Sequence, residues 1–526
     1  MSQHSANAQT QWQQAEWHAS RKEWPQAAAC FEKILAVSPE DPKVLVQLSY
    51  IESLAGHYRA AREYILRAHR AGSRDPSIIP ELVARLRTFN AARELHECVE
   101  RLKPLDRVPV PLLVACAAQY SYLNEQERAL VLLDEARRAD PDYPTTLLAR
   151  GQVLIYMGRF DEAEADIQRS IHRAPEIARS WSLLARLHRW TPDSNHVPKI
   201  RKQMQRPAQK PADVAMLADA LHKELDDLGD HAGAWSALEQ ACTAKRSTLD
   251  YRSQDSHELI SALAGLPEPP ASHFDHAIGT GPIPIFIVGM HRSGTTLLEQ
   301  LLDGHSDVHG VGELYDFTSQ MRYATDHHCR GVIDVTIVER ARGIDYAAVG
   351  AGYLKGMQWR LGKERFFTDK LPSNFLNIGF ICRALPQAKI LHMVRDPVET
   401  CFSNLRELFS DANPYSYNQQ ELAAYFLQYQ RLMRHWHAVF PGRILDVDYA
   451  ALTRDPESTL RRVADFCGLP FEPAMLDLQQ RKRGVATASA IQVRDRIVVQ
   501  ERPKWLPYAD YLQPMITALR AGGGVA

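Results

Sequence analysis

Much is missing from this 526-residue chain, and the absences narrow what it can be. Its eight cysteines (Cys30, Cys98, Cys116, Cys242, Cys329, Cys382, Cys401 and Cys467) are scattered, with no C-x-x-C pair. That spacing suggests neither a zinc site nor a disulfide framework, and points to reduced, mostly buried thiols in a reducing compartment. Charge of one sign is also missing. The formal net charge of −1 gives no electrostatic case for nucleic acid or an anionic membrane. No apolar run approaches the length of a membrane span, and the polar start Met1–Asn7 has no apolar signal-like core. A cytoplasmic location is therefore expected, with no nucleic acid and no membrane among the partners. What remains is the composition of an ordinary globular protein, 45% hydrophobic and 24% charged. The length calls for two or three domains.

The first half repeats. Trp24, Ala27, Phe31, Ile34 and Pro39 set a pattern that recurs after 34 residues as Tyr58, Ala61, Ile65 and Ala68. It recurs again as Ala92, Leu95, Val99 and Leu102, in a degenerate form. Gln126, Ala129, Leu133, Ala136 and Pro141 follow, then Phe160, Ala163, Ile167, Ser170 and Pro175. Offsets of 3, 4 and 3 put these residues on one helical face. A 34-residue unit of two helices, with small residues at the close contact and proline at the turn, resembles the tetratricopeptide repeat. Such units cannot bury their stripes alone and stack into a solenoid. The frame breaks at Thr191-Pro192-Asp193, and a basic, proline-containing segment (198–211) follows. Helical pattern resumes at Asp213. His231, Ala234, Leu238 and Ala241 repeat the spacing out of frame, as a final or capping repeat would.

A proline- and glycine-rich stretch marks a boundary, with Pro267, Pro269, Pro270, Gly279, Gly281 and Pro282. The expected organisation is an all-α repeat solenoid over 8–255, a linker over 256–283, and an α/β domain over 284–515. In the last part short apolar strands alternate with helices, which implies a parallel sheet covered on both faces.

The α/β half opens on Ile285-Phe286-Ile287-Val288-Gly289-Met290-His291-Arg292-Ser293-Gly294-Thr295-Thr296. A buried strand runs into a glycine-bounded loop and then a helix. Backbone N–H groups and a helix N-terminus converge there on an anion. The outline is that of a nucleotide P-loop, but Thr295 stands where the lysine should be, and the loop carries Arg292 instead. A phosphate-like group is expected without the β/γ-phosphate lysine of ATP or GTP sites.

A second strand, Lys389–Val394, ends in Arg395-Asp396-Pro397-Val398-Glu399. Asp396 suits an N-cap, Pro397 the first helical position, and Glu399 a capping box. Ser403 lies seven residues past Asp396 on the same helix face, so Arg395 and Ser403 are placed to meet one anion. The alternative is an ion pair of Arg395 with a carboxylate beside a solvated Ser403.

With two anion sites and no P-loop lysine, residues 284–512 resemble the sulfotransferase fold, whose donor is 3′-phosphoadenosine 5′-phosphosulfate (PAPS). The Arg292-Ser293-Gly294-Thr295-Thr296 run resembles that family's 5′-phosphosulfate loop, and Arg395 through Ser403 its 3′-phosphate site. With the repeats, the whole chain resembles bacterial tetratricopeptide-repeat sulfotransferases. Its catalytic half is most similar to protein-tyrosine sulfotransferases. The resemblance implies sulfuryl transfer to an acceptor hydroxyl, tyrosine of a protein or peptide first among them, with the acceptor possibly held by the repeats. Carbohydrate or small-molecule hydroxyls stay open as acceptors. An atypical P-loop kinase and a repeat scaffold with an inert α/β half are the competing readings.

The resemblance also implies roles. Glu313, 21 residues beyond Arg292, matches the catalytic glutamate, with His305 and His309 as rival bases on chemistry alone. Arg292 and Lys370 supply positive charge to the moving sulfuryl group and the bridging oxygen. Thr487 matches a serine that contacts the phosphosulfate, with Ser489 its rival by register. Tyr449 fits a residue near the adenine, and Arg494 and Lys504 are candidates to reach the 3′-phosphate. His291 departs from the proline usual before this loop in tyrosine sulfotransferases, and a loop-shaping role is expected for it. The membrane anchor and disulfides of the eukaryotic enzymes are not evident here, which leaves the acceptor open. No acidic strand end faces the loop, so no metal is expected.

Overall fold

The computed structural model of the protein describes residues 3–268, 281–478, 484, 487, 497–499 and 501–524. It divides into two compact units that interleave along the chain. One holds Met1–Pro141 with Tyr315–Trp359, the other Asp142–Leu314 with Arg360–Ala526. The expected limits 8–255, 256–283 and 284–515 follow sequence pattern, and the compact units cut across them.

The 34-residue period fixes where helices begin. Trp24–Val37, Tyr58–Arg70, Ala92–Glu100, Gln126–Ala139 and Phe160–Arg173 each start on the first residue of their repeat. The small residue three places on is fully buried in four of them, at Ala27, Ala61, Ala129 and Ala163. Large neighbours such as Ile65 and Ile167 are fully buried four places further on. Each such side chain contributes about 1.5–3 kcal/mol by leaving water. The degenerate third repeat has the shortest of these helices, and Leu102 falls beyond its end.

In the first unit the segment 315–359 forms the helices Asp316–Thr325, Val335–Arg340 and Tyr346–Met357. Asp326 and Arg59 bind it to the second repeat. The Asp326 carboxylate accepts from the Arg59 backbone N–H (2.8 Å), capping a helix whose own N-cap residue, His57, makes no side-chain cap bond. In return the Arg59 guanidinium donates to the carbonyls of Tyr323 and Ala324, both at 2.8 Å. Those carbonyls lie in the last turn of Asp316–Thr325, where the Tyr323 carbonyl also accepts from Asp326 N at 3.3 Å. Asn90 adds a bond to Ser319 at 3.1 Å.

In the second unit the hairpin Pro144–Met157/Phe160–Arg173 is followed by Ala178–Leu187, Val197–Met204, Pro211–Asp227 and His231–Arg246. The last two form the out-of-frame closing pair. The basic segment read as a break contains the short helix Val197–Met204, with Pro198 in its first turn and Val197 and Ile200 buried. Ser253–Ala264 is a further helix that runs into the stretch expected to be linker. These helices bind the α/β part through ion pairs: Asp226–Arg406 at 2.9 Å, Lys245–Asp411 at 2.7 Å and Arg246–Glu421 at 2.8 Å.

Among the described residues the sheet has five parallel strands: β1 (Ile283–Gly289), β2 (Val308–Gly310), β3 (Phe366–Asp369), β4 (Lys389–Val394) and β5 (Ile444–Asp448). Their order is β2-β3-β1-β4-β5. Ile285, Phe286, Ile287 and Val288 of β1 are fully buried, as a strand covered on both faces requires. Strands β2 and β3 are added on one side of β1, and β4 and β5 on the other. The sheet therefore has a switch point at β1, where loops leaving adjacent carboxyl ends diverge and leave a crevice.

Candidate functional site

Both anion-directed segments leave the sheet at that point. Gly289 at the end of β1 is in register with Met393 near the end of β4, so the Arg292 loop and the Arg395 segment emerge side by side. The glycines make the loop possible. Gly289 (φ +152°) has Met393 O only 2.8 Å from where a Cβ would sit. At Gly294 (φ +108°) a Cβ would run into the Tyr449 ring. Arg292 itself adopts φ +66°, a left-handed conformation that a non-glycine residue holds only when its surroundings fix it.

Met290, Ser293, Thr295 and Thr296 are buried, and the helix Thr295–Leu302 starts directly behind them. Among the described residues the buried Ser293 hydroxyl has no hydrogen-bond partner. An orphaned hydroxyl in a glycine-bounded loop at a helix N-terminus fits an anionic group that completes it.

The second segment supports the first. Asp396 caps the helix Pro397–Leu405 by accepting from Glu399 N (2.8 Å), as expected. The Glu399 side chain does not close a capping box. One oxygen accepts from Arg395 (3.0 Å), and the other accepts from Lys504 N (2.6 Å). Arg395 also donates to the Arg292 carbonyl at 3.0 Å, with its guanidinium 4.5 Å from the Tyr449 ring centroid. Arg395 therefore braces the first loop. Ser403 meets Arg292, whose Nε donates to its hydroxyl at 3.4 Å. Burial, with the Arg406 and Arg395 charges close by, lowers the pKa of Lys504.

Glu313 and Lys370 come together. Lys370 Nζ donates to Glu313 Oε1 at 2.5 Å, with the lysine fully buried and the glutamate one-third exposed. Buried Glu299 holds this arrangement in place. One of its oxygens accepts from Gly312 N (2.7 Å), just before Glu313, and from Thr368 Oγ1 (3.0 Å) at the end of β3. Lys370 N donates to Gly312 O at 3.0 Å. Thr487 reaches the loop, its hydroxyl 3.5 Å from that of Thr296. Ser489 and Arg494 lie outside the described residues.

His291 is half-buried. Burial, with Lys370 and Arg292 adding like charge, pushes its pKa down to about 3. Its carbonyl accepts from Asn404 at 2.7 Å, and its ring nitrogens lie 3.4 Å from Ser373 and Tyr415 hydroxyls. Those bonds support the loop-shaping role. His305 has both ring nitrogens engaged, with Pro470 O at 2.9 Å and Asp307 N at 3.0 Å. His309 lies in the middle of β2, paired in register with Phe367.

Sequence reasoning missed Glu407, Arg186 and Asp219. Glu407 Oε2 lies 3.7 Å from Arg292 Nη1, and its other oxygen accepts from Arg186 at 2.6 Å. No local sequence pattern marks them. Elsewhere, His392, His437 and Asp446 bring three potential metal-ligand atoms within 4.8 Å of one another. Asp446 accepts from both imidazoles, at 2.7 and 2.9 Å, so the cluster is internally hydrogen-bonded.

A parallel sheet with an anion-directed loop at its switch point, an arginine in a loop that lacks the P-loop lysine, and a glutamate–lysine pair beside it together make up the candidate site. Residues 284–473 match the sulfotransferase family, and residues 126–187 match the tetratricopeptide repeat. The chain thus carries a sulfotransferase-family domain behind tetratricopeptide repeats. It is 29% identical over 412 residues to an uncharacterized protein of Aquifex aeolicus, across 76% of this chain and 53% of that one. The chain thus spans about half the length of that relative. A putative protein-tyrosine sulfotransferase of Caenorhabditis briggsae is 27% identical across 36% of this chain and 68% of its own. Protein-tyrosine sulfotransferase 2 of Gallus gallus is 24% identical across 44% and 66%. No helix among the described residues is long and apolar enough to cross a membrane, and all eight cysteines are buried free thiols.

Proposed function

We propose that the protein transfers the sulfuryl group of PAPS to a hydroxyl, with tyrosine of a protein or peptide as the leading acceptor. The observation that carries this reading is the pair of anion-directed segments at the ends of β1 and β4, one with the orphaned Ser293 hydroxyl and neither with a P-loop lysine. PAPS, as substrate, supplies the sulfuryl group. Ser293, Gly294, Thr295 and Thr296 would hold its 5′ end, with Thr487 or Ser489 over it. Arg395 and Ser403 would hold the 3′-phosphate, and Tyr449 would lie near the adenine. The buried setting of the loop strengthens every charge in it.

Glu313 takes the proton of the acceptor hydroxyl. Its one-third exposure leaves it open to an incoming group, while Lys370 and the Glu299-anchored Gly312 fix its direction. Lys370 lies on the inner side of that pair, where its cation opposes negative charge on the departing oxygen. Arg292 supplies charge to the sulfuryl oxygens. The tyrosine preference rests on the named relatives, and a peptide held by the repeats suits a polypeptide acceptor. No metal enters this reading, and a cytoplasmic setting agrees with eight free thiols.

Labelled PAPS incubated with the protein and a tyrosine peptide tests the reading. Label on the tyrosine oxygen supports it. Label only on carbohydrate or small molecules in a lysate keeps the sulfuryl transfer and removes the tyrosine acceptor. No transfer to any hydroxyl would overturn it.

A further inference from the structure

Arg292 is not positioned by its loop alone. A line of alternating buried and half-buried charges runs from it into the repeat helices. Glu407, two residues beyond the helix Pro397–Leu405, faces Arg292 Nη1 at 3.7 Å with one oxygen and Arg186 Nη1 at 2.6 Å with the other. Arg186 lies on Ala178–Leu187. Its Nη2 donates to both oxygens of Asp219 on Pro211–Asp227, at 3.0 and 3.1 Å. Ser182 donates to Asp219 as well, at 3.1 Å. Glu407 and Asp219 are both buried, so water does little to screen these charges.

The order of signs is what makes the line work. A carboxylate given to Arg292 alone would hold it in a tight pair and oppose its turning to an anionic substrate. Shared with Arg186, Glu407 attracts Arg292 over the longer distance of 3.7 Å, while Ser403 accepts from Nε at 3.4 Å on the other side. The guanidinium is thereby aimed before substrate arrives, and pre-aimed charge is the arrangement that favours transfer. The left-handed backbone at Arg292 needs such outside support.

We propose that Glu407 is a positioning residue for Arg292, and that Arg186 and Asp219 of the repeat helices hold Glu407 in place. The repeats of the second unit then form part of the transfer machinery. This inference rests on the sulfuryl-transfer reading above.

The test is a kinetic comparison in the full chain, with labelled PAPS and a tyrosine peptide. Glu407→Gln keeps shape and removes charge. Its kcat should fall on the order of 10- to 100-fold. Arg186→Met should lose a similar factor, and Arg186→Lys should recover part of it. In an Arg292→Ala background, Glu407→Gln should cause no further loss, which a merely structural role would not produce. Equal fold-losses in both backgrounds, or an unchanged kcat in a folded Glu407→Gln, would overturn the proposal. A wild-type protein that neither transfers label nor gains thermal stability from adenosine 3′,5′-bisphosphate would instead overturn the reading beneath it.

Discussion

The two units use the same helical repeat for different ends. In the first, the repeat helices up to Pro141 join the segment 315–359 through backbone capping: Arg59 on the carbonyls of Tyr323 and Ala324, and Asp326 on the Arg59 N–H. In the second, the helices after Asp142 join the α/β part through buried and half-buried charge, and one of those charges reaches Arg292 by way of Glu407. The comparison teaches that a repeat's periodicity sets which face is apolar, while its non-periodic polar residues decide what the helix serves.

The sharpest way to break this comparison is at the chemistry of the second unit. Glu313→Gln should cut kcat by about 10²–10⁴-fold, as loss of a general base does, with nucleotide binding retained. Stopped transfer accompanied by lost binding would contradict the role given to Glu313. A matched pair comes next. Ile65 in the first unit and Ile167 in the second occupy the same repeat position, and both are fully buried. Either change to alanine should cost about 2–5 kcal/mol in its own unit. Adenosine 3′,5′-bisphosphate should raise the unfolding temperature of the unit that holds Ile167 and leave the unit that holds Ile65 where it was. A rise in both would blur the distinction. Smaller still, Arg59→Ala should destabilise the first unit by about 1–2 kcal/mol through the freed helix-end carbonyls, with kcat unchanged.

Acid should act on both units through half-buried histidines. Burial holds the pKa of His291 down to about 3, and that of His328 in the first unit down to about 4. Unfolded histidine takes up its proton near pH 6.5. Below that pH the unfolded chain binds more protons than the folded one, so stability falls as pH drops from about 6.5 toward those values. His291→Phe should flatten the dependence in the second unit, and His328→Phe in the first. Chemical denaturation between pH 7 and pH 4 reads both slopes.

Much of the architecture was legible in the sequence, because helix starts and strands are written locally. Five helices begin on the residues that open each 34-residue repeat, and β4 spans Lys389–Val394 as its apolar run suggests. The cradle was legible for the same reason, since its glycines, Arg292 and the helix behind it are consecutive. Asp396 as N-cap was legible, but the destination of Glu399 was not: its partners are Arg395 and Lys504, 105 residues away in the latter case. Glu407 and Arg186 are 221 residues apart and follow no period. Nor does any local pattern assign residues 315–359 to the same unit as the first repeats, since Arg59 and Asp326 meet only in the fold.

The central claim is that the Arg292 loop holds the 5′ end of a phosphoadenosine donor. Thermal unfolding of the full chain with adenosine 3′,5′-bisphosphate tests it most directly. At about 100 times Kd a ligand bound only to the native state adds about 2.7 kcal/mol of stability. The unfolding temperature should rise for the wild type and not for Arg292→Ala, and Mg-ATP should produce no comparable rise. An unchanged wild type, or a rise with Mg-ATP in place of the bisphosphate, would contradict the claim.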